Sequence, residues 1–254
     1  DWVLHLLLAD IELSRDELAD MAAGGLLMEI ASRPLPRDLA VKPASPMARM
    51  SAVVLAAGQS RRMGKINKLT AVVAGKPVIR HVVDTVLEAG LKDIVVVLGY
   101  DEQAVSACLE GLPVRFVKNE AFRSGQASSV SAGISALDKN VSDVMVVLGD
   151  MPLLSAALLN NLHHHHMRNP QHEQMISLPV CLKDRESQVG HPVIWGRQFF
   201  PDLRALTGDQ GGRQIWSDHP AIINHMEVED ATLFLDTDTA EALHRAEALL
   251  LARN

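Results

Sequence analysis

The sequence predicts an α/β fold, a three-layer sandwich over residues 50–254 with a mainly parallel, Rossmann-like sheet. The first observation is a set of short apolar runs, rich in β-branched residues, with the composition of strands buried on both faces. These runs lie at 51–56, 94–98, 114–117 and 143–148. The second observation is that helical patterns separate them, at 77–90, 101–110 and 126–138. Such alternation is typical of a parallel sheet covered by helices on both faces.

After residue 150 the alternation becomes less regular. Strands are predicted near 174–180 and 189–195, and helices at 155–167, 197–206 and 239–252. Open sheets of this type bind ligands beyond the carboxyl ends of their strands. We therefore expect the functional residues to follow directly after strands.

The first 49 residues differ in composition from the rest. Ser14 and Glu17 have the spacing of a capping box before a short helix, within a helical extension over residues 1–30. Residues 31–49 hold four prolines and no sustained hydrophobic period, which is the composition of an extended linker. We expect one large domain over residues 50–254.

Charge and cysteine content exclude several classes of protein. A formal net charge of −7 and a pI of about 5.9 disfavour a nucleic-acid-binding protein, whose footprint is usually basic. No stretch approaches the roughly 18 apolar residues of a membrane span. Cys108 and Cys181 form no CxxC motif, which favours a reducing compartment. We expect a cytoplasmic protein with neither nucleic acid nor a membrane as partner.

The segment LAAGQSRRMGKINKL, residues 55–69, follows the first predicted strand with small residues and then with cations. Small residues let the backbone approach a ligand closely, and successive amides can cradle phosphate oxygens. Arg61, Arg62 and Lys68 can then neutralise a triphosphate. A solvated basic loop is the alternative, but the position and density of the cations favour a phosphate site. The glycine spacing fits neither a Walker loop nor a GxGxxG fingerprint.

Two further segments lie where the predicted sheet would present them on the same rim. Asp150 in LGDMP follows a wholly apolar strand, and a carboxylate beside phosphates needs a cation between them, usually Mg²⁺. A helix cap is its alternative role. GQASSVSAGI, residues 125–134, can present amides and hydroxyls to a nucleotide, although serine-rich helix starts are also common caps.

Three late segments place polar groups beside glycine or at strand ends: GHPVIW (190–195), GDQGGR (208–213) and LDTDT (235–239). Each alone is compatible with a turn, and the two aspartates of LDTDT with a helix cap. The run His163–His166 has the composition of a metal tract but lies in a helical pattern, where its side chains would point in different directions. We interpret it as a solvated helix end.

Together these segments, in this order and at this spacing, resemble the MobA-like nucleotidyltransferases that complete the molybdenum cofactor. The nearest resemblance is to the molybdenum cofactor cytidylyltransferases, with the guanylyltransferases as cousins. It covers about residues 50–254 and implies a fold of the nucleotide-diphospho-sugar transferase type. LLMEIASRPLPR looks like the junction in fused proteins that carry a molybdopterin-binding domain ahead of the transferase, which would make residues 1–30 the stub of that domain.

The resemblance also implies roles for individual residues. It implies catalytic roles for Arg62, Lys68 and Asp150, and Mg²⁺ ligands in Asp150 and Asp238, with Asp236 as the alternative. The implied nucleotide-binding set is Leu55, Ala56, Ala57, Gly58, Ser60, Arg61, Gly64, Lys68, Ser128 and Ser129. The implied substrate-facing set is His191, Asp209, Gly211 and Arg213.

The implied reaction transfers CMP from CTP to the terminal phosphate of molybdopterin and releases pyrophosphate. A molybdoenzyme or its chaperone would receive the product. Three alternatives stay open: a guanylyltransferase using GTP, in which Gly would be expected where Ala57 stands; a cytidylyltransferase acting on a sugar or polyol phosphate; and a non-catalytic nucleotide-binding module. The last would be expected to lack Lys68 or Asp150, and both are present.

Overall fold

The computed structural model of the chain describes residues 50–60, 67–183, 186–209, 211–218 and 220–253. The predicted extension at 1–30 and linker at 31–49 lie outside the described residues. So do residues 61–66 of the cationic segment, which include the predicted site residues Arg61, Arg62 and Gly64. Within the described residues no helix is both long and apolar enough to span a membrane.

The described residues alternate between strands and helices along most of the chain. The strands are β1 Met50–Ala56, β2 Val72–Val73, β3 Lys76–Pro77, β4 Asp93–Leu98, β5 Arg115–Lys118, β6 Asp143–Leu148, β7 Ile176–Lys183, β8 Glu186–Val189, β9 Val193–Gly196 and β10 Ile223–Val228. The α-helices are α1 Val78–Glu88, α2 Glu102–Cys108, α3 Gln126–Ser135, α4 Ala156–Met167, α5 Phe200–Ala205, α6 Arg213–Asp218 and α7 Ala240–Arg253.

The main sheet has the strand order β10-β7-β9-β6-β1-β4-β5, with β8 paired to β7. β1 lies between β4 and β6 and runs parallel to both, so that Leu55 is opposite Val97 on one side and Leu148 on the other. β9 is antiparallel to both of its neighbours. The prediction of a mainly parallel α/β sheet is confirmed.

Helices cover both faces of this sheet because the side chains of β1 alternate between them. Ala52 and Val54 belong to a core that includes Ile79 of α1 and Leu159 of α4. Val53 belongs to a second core on the opposite face, formed with α3 and α5. The result is the predicted three-layer arrangement, with the carboxyl ends of β1 and β6 adjacent at one edge.

Several elements differ from the sequence-based expectations. The strand predicted near 189–195 is two strands, β8 and β9, separated by Gly190 to Pro192. β10 was not predicted, because half-buried and exposed side chains alternate along it without a continuous apolar run. The predicted helix at 197–206 is a 3₁₀ turn, Arg197–Phe199, followed by the shorter α5.

α3 packs closely on the sheet at Gly133. A Cβ at this position would lie 2.3 Å from Cγ1 of Val53 and 3.0 Å from Cγ2 of Val97. Both valines are buried and β-branched, so neither can rotate away easily. The absence of a side chain at Gly133 therefore determines how near the helix lies to β1.

Gly133→Ala is expected to lower the free energy of unfolding by about 1–3 kcal/mol, the usual cost of overpacking a core. This should happen even though alanine favours a helix over glycine by roughly 1 kcal/mol. Urea unfolding followed by circular dichroism measures the change. Gly58→Ala is the matched stability control, because a Cβ there meets nothing within 4 Å. Equal unfolding midpoints for the two variants would show that α3 can move away from β1 at no cost.

Candidate active site

A lysine lies between two carboxylates at the carboxyl edge of the sheet. The ammonium of Lys68 is hydrogen-bonded and ion-paired to both Asp150 and Asp238. Its side chain is only 11% exposed. Burial alone would lower the pKa of Lys68, but the charges and hydrogen bonds of the two carboxylates outweigh it and raise that pKa above its ordinary value. The side chain of Lys68 is therefore protonated and positively charged at neutral pH.

Backbone hydrogen bonds hold these three side chains in place. The amide of Lys68 donates to Oγ of Ser60 at 3.1 Å, which ties it to the loop after β1. Thr237 donates from both its amide and its hydroxyl to the carbonyl of Asp150, at 3.0 and 3.1 Å. The 235–239 segment, distant in sequence, is thereby held against the end of β6, and Asp238 reaches Lys68.

Asp236 lies near this group. Burial, and then the charges of Asp238 and Asp150, raise the pKa of Asp236 above its ordinary value. Its Oδ1 accepts from the amide of Asp238 at 3.3 Å. Bonded to the backbone in this way, Asp236 orients Asp238, which is the carboxylate in contact with Lys68.

The donor set suits a hard divalent cation. Asp150 and Asp238 offer only carboxylate oxygens, the ligands that Mg²⁺ and Mn²⁺ prefer in proteins. The Asp238 side chain is 36% exposed, so its carboxylate is accessible to a ligand. The residues present therefore fit a divalent cation beside Lys68.

A cavity of about 380 Å³ opens beside Lys68 and Asp150. The predicted nucleotide-binding residues that line it are Leu55, Ala57, Gly58, Ser60, Lys68 and Ser129. Ala56 does not line it: its side chain is fully buried in the core shared with α1. Because neighbouring residues of a strand point to opposite faces, Ala56 and Ala57 cannot both face the cavity.

Ser128 and Ser129 have different surroundings. Ser129 lines the cavity, whereas Ser128 Oγ donates to the carbonyl of Gly125 at 2.8 Å, a bond back to the preceding turn of the chain. Asn119, directly after β5, donates to both hydroxyls at 2.9 and 3.0 Å and so orients them. Sequence reasoning missed Asn119, although its place after a strand is the same signal that identified Asp150.

A second cavity of about 870 Å³ adjoins the first, and Leu55, Gln126 and Asp209 line both. The four residues predicted to face the substrate, His191, Asp209, Gly211 and Arg213, all line the larger cavity. The structure thus brings GHPVIW and GDQGGR to one site, although they are distant in sequence.

The larger cavity also has an aromatic wall. The rings of Trp195 and Trp216 stack with centroids 6.0 Å apart and planes only 2° from parallel. Gly212 lies against this wall, because a Cβ there would be 2.3 Å from Cζ2 of Trp195. Sequence reasoning did not predict the tryptophan pair, because Trp216 lies in a short helix that shows no strand or motif signal.

His191 is a neutral polar group in this cavity. Burial lowers its pKa to about 4, although the charge of Asp150 and the Val146 carbonyl act in the opposite direction. Its Nδ1 is buried and has no protein hydrogen-bond partner. His191 therefore presents a neutral imidazole to the cavity at pH 7.

A parallel sheet with a cation–carboxylate cluster and two adjoining cavities at its carboxyl edge defines a nucleotide-binding α/β protein suited to phosphate chemistry. A family model described as the MobA-like NTP transferase domain matches residues 52–223, and the chain belongs to this family. Membership of this family supports a nucleotidyltransferase activity.

Two individual relatives are similar to this chain over different shares of their lengths. The nicotine blue oxidoreductase of Paenarthrobacter nicotinovorans is 28% identical over 197 residues, which cover 77% of this chain and 95% of that protein. The bifunctional protein GlmU of Sinorhizobium fredii is 42% identical over 112 residues, 42% of this chain but only 24% of GlmU. The chain thus spans about a quarter of the length of that relative.

Solved structures show the same fold. Rv0371c of Mycobacterium tuberculosis H37Rv superposes with a TM-score of 0.67 at 25% identity, over 79% of this chain and 98% of that one. A manganese complex of Rv0371c superposes with a TM-score of 0.63 at 24% identity, over 79% and 98% of the two chains.

The buried neutral state of His191 predicts a loss of stability in acid. Between about pH 6.5 and pH 4 the unfolded chain binds a proton that the folded chain does not, so folding weakens as the pH falls through this window. When the pH falls from 7 to 4.5, the free energy of unfolding should decrease in the wild type. In His191→Gln the decrease should be smaller by about 2 kcal/mol. Urea unfolding in EDTA, at a series of pH values, measures it.

His225→Gln is the control, because His225 is exposed on β10. It should follow the wild-type pH dependence. If His191→Gln also follows the wild type, the imidazole of His191 takes up its proton in the folded state, and the neutral assignment is wrong.

Proposed function

We propose that this protein transfers CMP from CTP to the terminal phosphate of molybdopterin and releases pyrophosphate. The observation that carries the transferase reaction is the position of Lys68 between Asp150 and Asp238, beside the junction of two cavities. Attack of one phosphate on another requires two polyanions to approach, and their repulsion must be neutralised. A buried, permanently charged lysine supplies part of that neutralisation.

The smaller cavity is the proposed CTP site. The backbone of residues 57–60 lies against the triphosphate, and Lys68 stabilises the negative charge that develops on the phosphates during transfer. Asp150 and Asp238 hold a divalent cation, which we propose to be Mg²⁺; when bound, it neutralises charge between the phosphates and the carboxylates. Arg61 and Arg62 are proposed to add positive charge at the phosphates, and Gly64 is proposed as a member of the same nucleotide-binding set.

The larger cavity is the proposed acceptor site. Its volume is within the range of small-ligand pockets, and the face of an indole suits a flat heterocycle such as a pterin. His191, neutral and with an unpartnered Nδ1, can accept a hydrogen bond from a ring N–H or amino group without demanding a counter-charge. Asp209 and Leu55 lie where the acceptor phosphate would enter the smaller cavity.

We propose that the reaction takes place in the cytoplasm. Cys108 and Cys181 are both free thiols in the structure, which is compatible with the cytoplasm proposed for the reaction. A molybdoenzyme or its chaperone is the proposed recipient of the product.

One observation favours a second candidate function. The match with the nicotine blue oxidoreductase covers 95% of the length of that relative, whose name describes an oxidoreductase that acts on nicotine blue. The tryptophan wall of the larger cavity would then contact that substrate. Reduction of nicotine blue by the purified protein with an added reductant, with no pyrophosphate formed from any nucleotide, would support this function over the transferase.

Asp150→Asn should reduce nucleotide transfer by about 10²-fold or more, since one electrostatic contact in a transition state is commonly worth a few kcal/mol. Its melting temperature should change little by comparison, because Asp238 still compensates Lys68. Pyrophosphate release measured over a series of Mg²⁺ concentrations provides the test.

Asp84→Asn is the control for loss of a carboxylate. Asp84 of α1 pairs with Lys76 of β3 and with Arg80 of α1, and it lines neither cavity. It should transfer nucleotide at the wild-type rate. A wild-type rate for Asp150→Asn at limiting Mg²⁺ would reduce Asp150 to a structural role.

Base choice provides the second test. Ala57 lines the smaller cavity, and its Cβ would crowd a purine more than a pyrimidine. The purified protein, given equal CTP and GTP with Mg²⁺ and molybdopterin, should form mainly the cytidylyl product, as read by mass spectrometry. Ala57→Gly should lower the ratio of cytidylyl to guanylyl product by roughly 10-fold or more, within the 1–3 kcal/mol typical of such steric discrimination.

The same assay separates the alternatives. A wild-type preference for GTP would assign the guanylyltransferase, and turnover of a sugar or polyol phosphate but not of molybdopterin would assign a different acceptor. Nucleotide binding with no pyrophosphate released in the presence of any acceptor would indicate a non-catalytic nucleotide-binding module.

A further inference from the structure

A compact group of metal-ligating side chains lies at the opposite end of β6 from the candidate active site. Asp143 is the first residue of β6, His166 lies in the last turn of α4, and His172 begins the 3₁₀ turn His172–Gln174. One ligand atom from each lies within 4.8 Å of the other two. Across the described part of the chain, this is the one group of three histidine, cysteine or acidic side chains that meets this condition.

Two of the residues in the histidine run at 163–166 are not solvated, contrary to our interpretation from sequence. His163 and His166 are 1% and 0% exposed, while His164 is exposed. The helical periodicity that directs these side chains apart also directs part of the run into the core. His166 is thereby aimed at the buried Asp143.

The distances within the group are close to those of a metal site. His166 Nε2 and His172 Nδ1 each lie 3.0 Å from Oδ1 of Asp143. Ligand atoms bonded at 2.0–2.1 Å in a tetrahedral zinc site are about 3.3 Å from one another. These two separations are within a few tenths of an ångström of that value, and the third, between the two imidazole nitrogens, is at most 4.8 Å.

Neighbouring hydroxyls already orient the candidate ligands. Oγ of Ser177 lies 2.8 Å from Nδ1 of His166, so it can accept the proton that a metal-bound imidazole carries on its far nitrogen. Ser142 donates to the other oxygen of Asp143 at 2.6 Å. One oxygen of the carboxylate is thus held by a hydrogen bond that does not involve the candidate imidazole ligands.

The three donors also indicate which ion would bind. Two imidazole nitrogens and one carboxylate oxygen favour a transition metal over Mg²⁺ or Ca²⁺, which prefer oxygen ligands alone. His172 is 20% exposed, so an ion can enter from solvent on its side and keep a water as fourth ligand.

We propose that Asp143, His166 and His172 bind one Zn²⁺ ion, which joins the end of α4 and the 172–174 turn to the start of β6. This site is independent of the proposed transferase reaction, because its ligands lie at the amino end of β6 and line neither of the two active-site cavities. Its occupancy should raise the stability of the folded chain by mass action.

The test uses Co²⁺ as a visible substitute for Zn²⁺. The full chain, stripped with EDTA, is titrated with Co²⁺ and should show the visible absorption of a four-coordinate site, which one equivalent of Zn²⁺ then abolishes. His172→Gln keeps a hydrogen-bond donor for Asp143 but loses the imidazole ligand. It should weaken Co²⁺ binding by more than the roughly 10- to 100-fold that loss of an outer hydrogen-bond partner costs.

Two control variants separate this site from other metal binding. His164→Gln removes an exposed histidine of the same run and should bind Co²⁺ as the wild type does. Asp150→Asn removes a proposed active-site ligand while Asp238 still compensates the charge of Lys68, so this variant should fold and keep the visible band. Absence of the band in folded wild type, its persistence in His172→Gln, or its loss in either control would overturn the proposal. Zn²⁺ should also raise the melting temperature of wild type but not of His172→Gln.

Discussion

The active-site architecture depends on one buried cation shared by two carboxylates. Lys68 follows the loop after β1, Asp150 follows β6, and Asp238 precedes α7, so 82 and 170 residues separate the lysine from its two partners. A buried charge is expensive unless it is paired and hydrogen-bonded. The cluster therefore makes the folded positions of three distant segments mutually dependent, and it converts the edge of the sheet into a site that attracts anions and cations together.

The parallel sheet makes this convergence possible. β1 and β6 are neighbours and run in the same direction, so the residues that follow them emerge at one edge. The amide of Gly149 donates to the carbonyl of Leu55 at 3.0 Å, which continues the pairing of the two strands to the point where the site begins. The close packing of Gly133 on Val53 keeps α3, and with it Ser129, next to the same cavity.

The two ends of β6 present different donor chemistry. Its carboxyl end has carboxylates beside a lysine, a set suited to hard cations that accompany phosphates. Its amino end has a carboxylate beside two imidazoles, a set suited to a transition metal. One buried strand, six residues long, thus positions two donor groups that should select different ions. A measurement of metal content on the whole protein would add the ions bound at the two donor groups together. Variants of each group are therefore needed to tell the two sites apart.

The sequence by itself determined the strand–helix alternation and the parallel sheet, and most of the predicted site residues that the structure describes line the two cavities. Burial on both faces imposes a continuous apolar run on a strand, and ligand sites in such sheets follow where the run ends. The local sequence pattern was enough to predict that Gly58, Asp150 and His191 lie at the site. It was not enough for Asn119, the stacked Trp195 and Trp216, or the group around Asp143, because their partners are distant in sequence. It also could not assign different directions to Ala56 and Ala57, or decide which histidines of a helical run are buried. Those outcomes depend on how α4 rotates onto the sheet and where each strand side chain points, and only tertiary packing sets both.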